Sequence, residues 1–160
     1  MTGPTNTPLT PATFLRTNTI IHLALAAGQL LFGIIAFLKT ANQYFDLKNT
    51  GDPLFFIVPM VAIGGFAVGN FLFKKALITI AVQDQLNEKL KVYQSALITR
   101  AAMLEGPSLF GIVCFMITGN LFFLAIPGVI VLYFLTLWPT KQKMENDLDL
   151  TYEEKMEFPG

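Results

Sequence analysis

The charged residues of this chain avoid four stretches, each about long enough to cross a bilayer, and gather on one side of the membrane that those stretches define. Lipid is therefore the expected solvent for most of the side chains. With 53% hydrophobic and 14% charged residues in 160, the chain is too apolar to hide its surface in one small soluble core. Formal net charge is zero, so no basic field points to nucleic acid; the placement of charge carries the information instead. The single cysteine, Cys114, excludes an intramolecular disulfide and reads as a small core hydrophobe.

A hydrocarbon core of about 30 Å takes roughly 20 apolar residues as helix. Residues 19–38 supply the first span, which Lys39 ends. Residues 40–53 carry Asn42, Asp46, Asn49, Gly51, Asp52 and Pro53, which is loop chemistry. The second span, 54–73, ends at Lys74 and Lys75; the polar stretch Gln83 to Gln94 then suits helix that continues outside the bilayer. From Ala101 to Trp138 one helix would be about 57 Å long, so it must fold back. Thr118, Gly119 and Asn120 give the best reversal, because Gly and Asn tolerate positive φ. That leaves spans of 101–117 and 121–138, with Pro127 as a kink, since a break at Pro127 would leave too short a remainder.

The expected fold is all-α, a membrane bundle of four transmembrane helices over residues 19–138. A flexible leader over 1–18, with three prolines and six threonines, precedes it, and an acidic tail over 139–160 follows. Four spans put both termini and the 74–100 loop on one side, with Arg16, Lys74, Lys75, Lys89, Lys91, Arg100, Lys141, Lys143 and Lys155; only Lys39 and Lys48 lie opposite. By the positive-inside rule both termini are cytoplasmic, as in a multi-pass inner-membrane protein, with Tyr133 and Trp138 as interfacial anchors. The small residues at Ala24 to Ala26 resemble a signal cleavage site, but the apolar run continues to Leu38, as in a retained anchor.

Small residues mark helix packing. Gly65 and Gly69, and Ala24 and Gly28, each stand four apart, a spacing that lets backbones approach in lipid, within the bundle or against another subunit. Residues 24–38 and 102–116 share seven identities in fifteen positions, among them Gly28 with Gly106 and Gly33 with Gly111. Two hairpins related by a parallel repeat would produce this, and so would the narrow residue alphabet of apolar helices.

The candidate ion-binding residues are Glu105, His22 and Arg100. A carboxylate four residues inside the third span must find a cation, reach water or keep its proton. Arg100 and His22 are the nearest groups by sequence or by depth, although Arg100, five residues earlier, is off the face of Glu105 unless Pro107 bends the helix. Alternatively, Glu105, Gly106 and Pro107 simply begin a helix near the interface, with the carboxylate at its positive end. Asn70 and Gln29 read as interhelical hydrogen-bond formers. No metal-ligand cluster, phosphate loop or Ser-His-Asp set is present, so no cofactor and no enzyme activity is expected.

The string from Ala101 to Val113 resembles the carboxylate helix of the rotary ATPase proteolipid, the c subunit, where an aromatic and then a glycine follow the carboxylate, matched here by Phe110 and Gly111. The glycine-bearing helix before it, with Gly64, Gly65 and Gly69, is similar to that family's first helix. The resemblance covers about residues 54–117 and implies proton or Na⁺ binding at Glu105. Alternate glycines and a short Arg-Gln-Pro loop, both features of the family, are missing, and Arg100 and Pro107 are additions to its pattern. The overall layout resembles uncharacterised four-span proteins of bacterial inner membranes, which implies no activity. Two functions follow as expectations: a structural or accessory subunit, alone as a homo-oligomer or within a membrane complex, and, second, an ion-translocating module centred on Glu105.

Overall fold

The computed structural model describes residues 11–48, 51–80 and 85–156. The first ten residues of the leader, Asn49 in the loop, Gln83 and Asp84, and the last four residues of the tail lie outside the described residues. The regular elements among the described residues are all helices: α1 Pro11–Lys39, α2 Leu54–Ile80, α3 Leu86–Thr118, α4 Leu121–Thr136, α5 Lys141–Asp147 and α6 Tyr152–Met156. The first three are each long and apolar enough to cross a membrane. At 16 residues, α4 reaches about 24 Å and meets that test only together with α5, to which it is bent by 82°. The structure thus has three membrane-crossing helices, or four if the bent pair counts as one.

The expected fourth span of 121–138 stops two residues early for a local reason. Trp138 precedes Pro139, and the residue before a proline is pushed out of the helical region, so the chain leaves α4 at Leu137. At the other end of the chain, the expected leader is helical from Pro11 onward. Proline suits a first helical turn, where its missing N–H would have no partner, and Phe14 is drawn into a core at 1% exposure.

α3 is the hub. It packs against α1, α2 and α4, whereas α1 and α2 flank it and barely touch each other. Its 33 residues, about 50 Å of helix, exceed a bilayer core by some 20 Å. α1 runs parallel to α3, with Phe14 beside Tyr93 at one end and Gly33 beside Ile112 further along. That is one residue off the repeat register, in which Gly33 matches Gly111. The halves are nevertheless not equivalent, because α3 and α4 pack closely while α1 and α2 do not.

Between α3 and α4 the reversal rests on Gly119, with φ of 74°, whose N–H reaches Phe115 O at 2.8 Å, and on Asn120, whose Oδ1 accepts from Phe122 N. The loop from α1 lies across this turn. Tyr44 N donates to Gly119 O, Leu121 N donates to Tyr44 O, and the Asn120 side chain bonds both backbone groups of Asp46. At the opposite end, which carries most of the basic residues, α1, α2 and α3 extend into a cap that the tail completes. Phe14, Phe73, Ile80, Leu90, Tyr93, Met144, Leu148 and Leu150 form its core. Tyr93 OH donates to Asp147 at 2.7 Å, and Lys89 pairs with Glu154 at 2.8 Å.

Candidate functional site

Two close approaches organise the membrane layer, and both set a glycine against a proline. Pro107 has no N–H, so Met103 O loses its ordinary helical donor. Gly65 of α2 faces that opening: a Cβ there would fall on Met103 O and lie 2.6 Å from Pro107 Cγ. One helix further on, Pro127 likewise frees Phe123 O, and a Cβ on Gly111 would lie 2.9 Å from the Pro127 ring and 3.1 Å from Phe123 O. Pro127 is thus an element of packing inside a continuous α4. Gly69, one turn from Gly65, also faces α3, beside Met103 and Arg100. Ala24 and Gly28, by contrast, are exposed on α1, and a Cβ on Gly28 would meet nothing.

Nearer the basic end, three helices are tied through one cation. Arg100 of α3 donates from Nη2 to Asn70 Oδ1 of α2 at 2.6 Å and to Tyr133 OH of α4 at 2.8 Å. Its guanidinium also lies 4.8 Å from the centre of the Phe73 ring, a cation–π distance. Both acceptors are neutral, Nε is buried without a partner, and the ion pairs among the described residues, Lys89–Glu154 and Lys91–Glu88, do not involve Arg100.

His22 sits on the other flank of α3. A carbonyl can only accept, so Nε2 carries the proton that reaches Phe134 O at 2.8 Å. That oxygen belongs to the last turn of α4 and already accepts from Leu137 N at 3.0 Å, so His22 adds a second donor to it and ties α1 to the end of α4. The imidazole stacks on Phe134 at 4.1 Å and meets the edge of Trp138. His22 and Arg100 line a common cavity of about 30 Å³, with Asn18 and Phe134.

Glu105 does not join them. Half-buried on α3, it makes no hydrogen bond or ion pair among the described residues, so of the three candidates only His22 and Arg100 come together. Arg100 turns to Asn70 and Tyr133 because Glu105, five residues on, lies around the helix from it. Gln29 and Ser108 are fully buried on α1 and α3, and neither side chain has a hydrogen-bond partner among the described residues. Sequence reasoning missed Tyr133 as a partner of Arg100, since its place before Trp138 reads equally well as an interfacial aromatic.

Among the described residues no group of three or more His, Cys, Asp or Glu could hold a metal ion. No protein-family model, curated protein or solved structure matches this chain. The chain is a small, all-helical, multi-span membrane protein.

Proposed function

We propose that this protein is a structural or accessory subunit of the bacterial inner membrane, with four spans, both termini in the cytoplasm and no catalytic activity of its own. The observation that carries the reading is the tie from Arg100 to Asn70 and Tyr133, which makes the most conspicuous polar group of the membrane layer a fastener of three helices. His22, which ties α1 to the end of α4, has the same kind of role. Counting α4 as the fourth span agrees with the gathering of basic residues at the capped end, which favours a cytoplasmic cap. A partner, whether a second copy or another membrane chain, has the apolar outer face of α1 available, where Ala24 and Gly28 are unused within the chain.

The ion-translocating alternative requires Glu105 to act without His22 or Arg100. Hydrophobic carbodiimide tests it directly: under the structural reading Glu105 is not modified, and ion flux in proteoliposomes is the same for wild type and Glu105→Gln. Modification that falls with rising pH and vanishes in Glu105→Gln would replace the structural reading with the alternative. Sidedness is checked in a Cys114→Ala background, where cysteines at Lys48 and Gln85 should label from opposite faces, Gln85 from the cytoplasm. Copurification from native membranes in mild detergent should bring down a stoichiometric membrane partner or a homo-oligomer. A strict monomer would remove the accessory role.

A further inference from the structure

We propose that the cleft between α2 and α4 holds an acyl chain of one anionic phospholipid, whose phosphate rests on Arg100. α2 and α4 meet only slightly as they flank α3, and the gap between them is an open cleft of about 470 Å³. Leu104 of α3 lies at its floor; Pro59, Ala62 and Phe66 form one wall, and Ile126, Val129 and Tyr133 the other. Apart from the Tyr133 hydroxyl this lining is apolar, which suits a hydrocarbon chain.

Polarity rises along the cleft in one direction. Phe66 and Tyr133 close its apolar length with a ring contact of 5.0 Å. One turn beyond Phe66 comes Asn70, and there Arg100 joins Asn70 and the Tyr133 hydroxyl. A further turn along the same face of α2 brings the exposed Lys74. From Pro59 to Asn70 is about 16 Å of helix, close to half of a 30 Å hydrocarbon core and therefore to the depth of one leaflet. The order of groups thus matches a phospholipid standing in that leaflet, tail toward Pro59 and headgroup at Arg100.

Charge identifies the headgroup. A guanidinium whose bonded acceptors are both neutral, with an unpartnered Nε and no carboxylate paired to it among the described residues, lacks a counter-ion. Phosphate oxygens fit the planar fork of Arg, and basic pockets between membrane helices select anionic headgroups on this basis. A zwitterionic lipid brings its own cation toward Arg100 and Lys74, which weakens the attraction.

The test uses the full chain in detergent, with dioleoyl phosphatidylglycerol and dioleoyl phosphatidylcholine added at equal concentration and bound lipid counted by native mass spectrometry. Wild type should retain one phosphatidylglycerol in preference to phosphatidylcholine by about fivefold, and Arg100→Gln should bring the two to parity. Val129→Trp, which fills the cleft from its lipid-facing side without touching Arg100, should abolish retention of both. It decides the matter if Arg100→Gln does not fold. Equal retention of the two lipids by wild type would overturn the proposal, as would a Val129→Trp protein that keeps its preference. Inorganic phosphate alone should leave the thermal midpoint unchanged; a rise matching that given by phosphatidylglycerol would make this a free-anion site and overturn the lipid assignment.

Discussion

At the capped end, Phe14, Phe73, Leu90 and Tyr93 are each at most 7% exposed; further along the same three membrane-crossing helices, Leu31, Ile63 and Ile117 are 60%, 67% and 73% exposed. The contrast follows from the solvent. Outside the bilayer, each Å² of apolar surface removed from water contributes about 25 cal/mol, so side chains from four segments converge into a core. Inside it, lipid tails are as apolar as leucine and helices gain little by burying leucine against each other. There, beside two buried clusters around Phe115 and Phe134, the backbones approach closely, glycine against proline-opened turn, at Gly65 with Pro107 and at Gly111 with Pro127. One helix, α3, takes part in both modes along its 33 residues.

From that contrast, a large-to-small change in the cap should have the largest effect. Phe14→Ala should cost about 3–5 kcal/mol of cap stability, the usual figure for a buried aromatic. Hydrogen exchange should speed up at Leu148 and Leu150, which share its core, while amides of α2 around Gly65 keep their protection. Equal loss at both places would show that cap and membrane layer unfold as one unit, and would erase the distinction.

In the membrane layer the sensitive change runs the other way, from small to large. Gly65→Ala sets a methyl onto a backbone oxygen that cannot turn aside, so α2 must move, at a cost of about 1–3 kcal/mol. The neighbouring Gly64 is the control, since a Cβ there meets nothing. Gly64→Ala should be neutral or stabilising by up to about 1 kcal/mol through helix propensity. Unfolding in mixed detergent micelles, followed by circular dichroism, compares the two. Equal midpoints for both variants would refute the close approach.

The sequence showed more of the membrane layer than of the cap. Runs free of charge mark the long helices, and Gly119 with Asn120 marks the reversal, because positive φ and N-capping are properties of those residue types. The pair Gly65 and Gly69 also stands out, but not its partner, for an opening at Met103 needs Pro107 to be placed against α2. The cap was hidden by composition: Met144, Leu148 and Leu150 sit among acidic residues, and only the fold brings them to Phe14. Arg100 illustrates the same limit within the candidate site. Its partners are 30 and 33 residues away, so local spacing pointed to Glu105 instead.

The smallest expected effect tests whether the tail is held by charge as well as by its apolar core. Glu154 loses some solvation on docking, which alone would raise its pKa, but the bond from Lys89, the backbone and hydroxyl groups of Thr151 and the charge of Lys89 prevail and hold the carboxyl below its ordinary 4.5. A carboxyl whose folded pKa lies lower stabilises the folded form above the unfolded value, and that contribution disappears as pH falls through the folded one. The Lys89–Glu154 pair is part-buried, with side chains 12% and 14% exposed, so lost solvation offsets much of its attraction and it should add of the order of 1 kcal/mol or less. Tail docking, read from exchange at Leu150, should therefore weaken slightly on acidification below the ordinary carboxylate range and stay unaltered from there to neutrality. Lys89→Met removes the cation while keeping an apolar stem, so the acid step should shrink while the core contacts of Met144 and Leu148 persist. An undiminished step in Lys89→Met would show that the charge of Lys89 does not hold the tail, leaving its docking to the apolar core of Met144, Leu148 and Leu150.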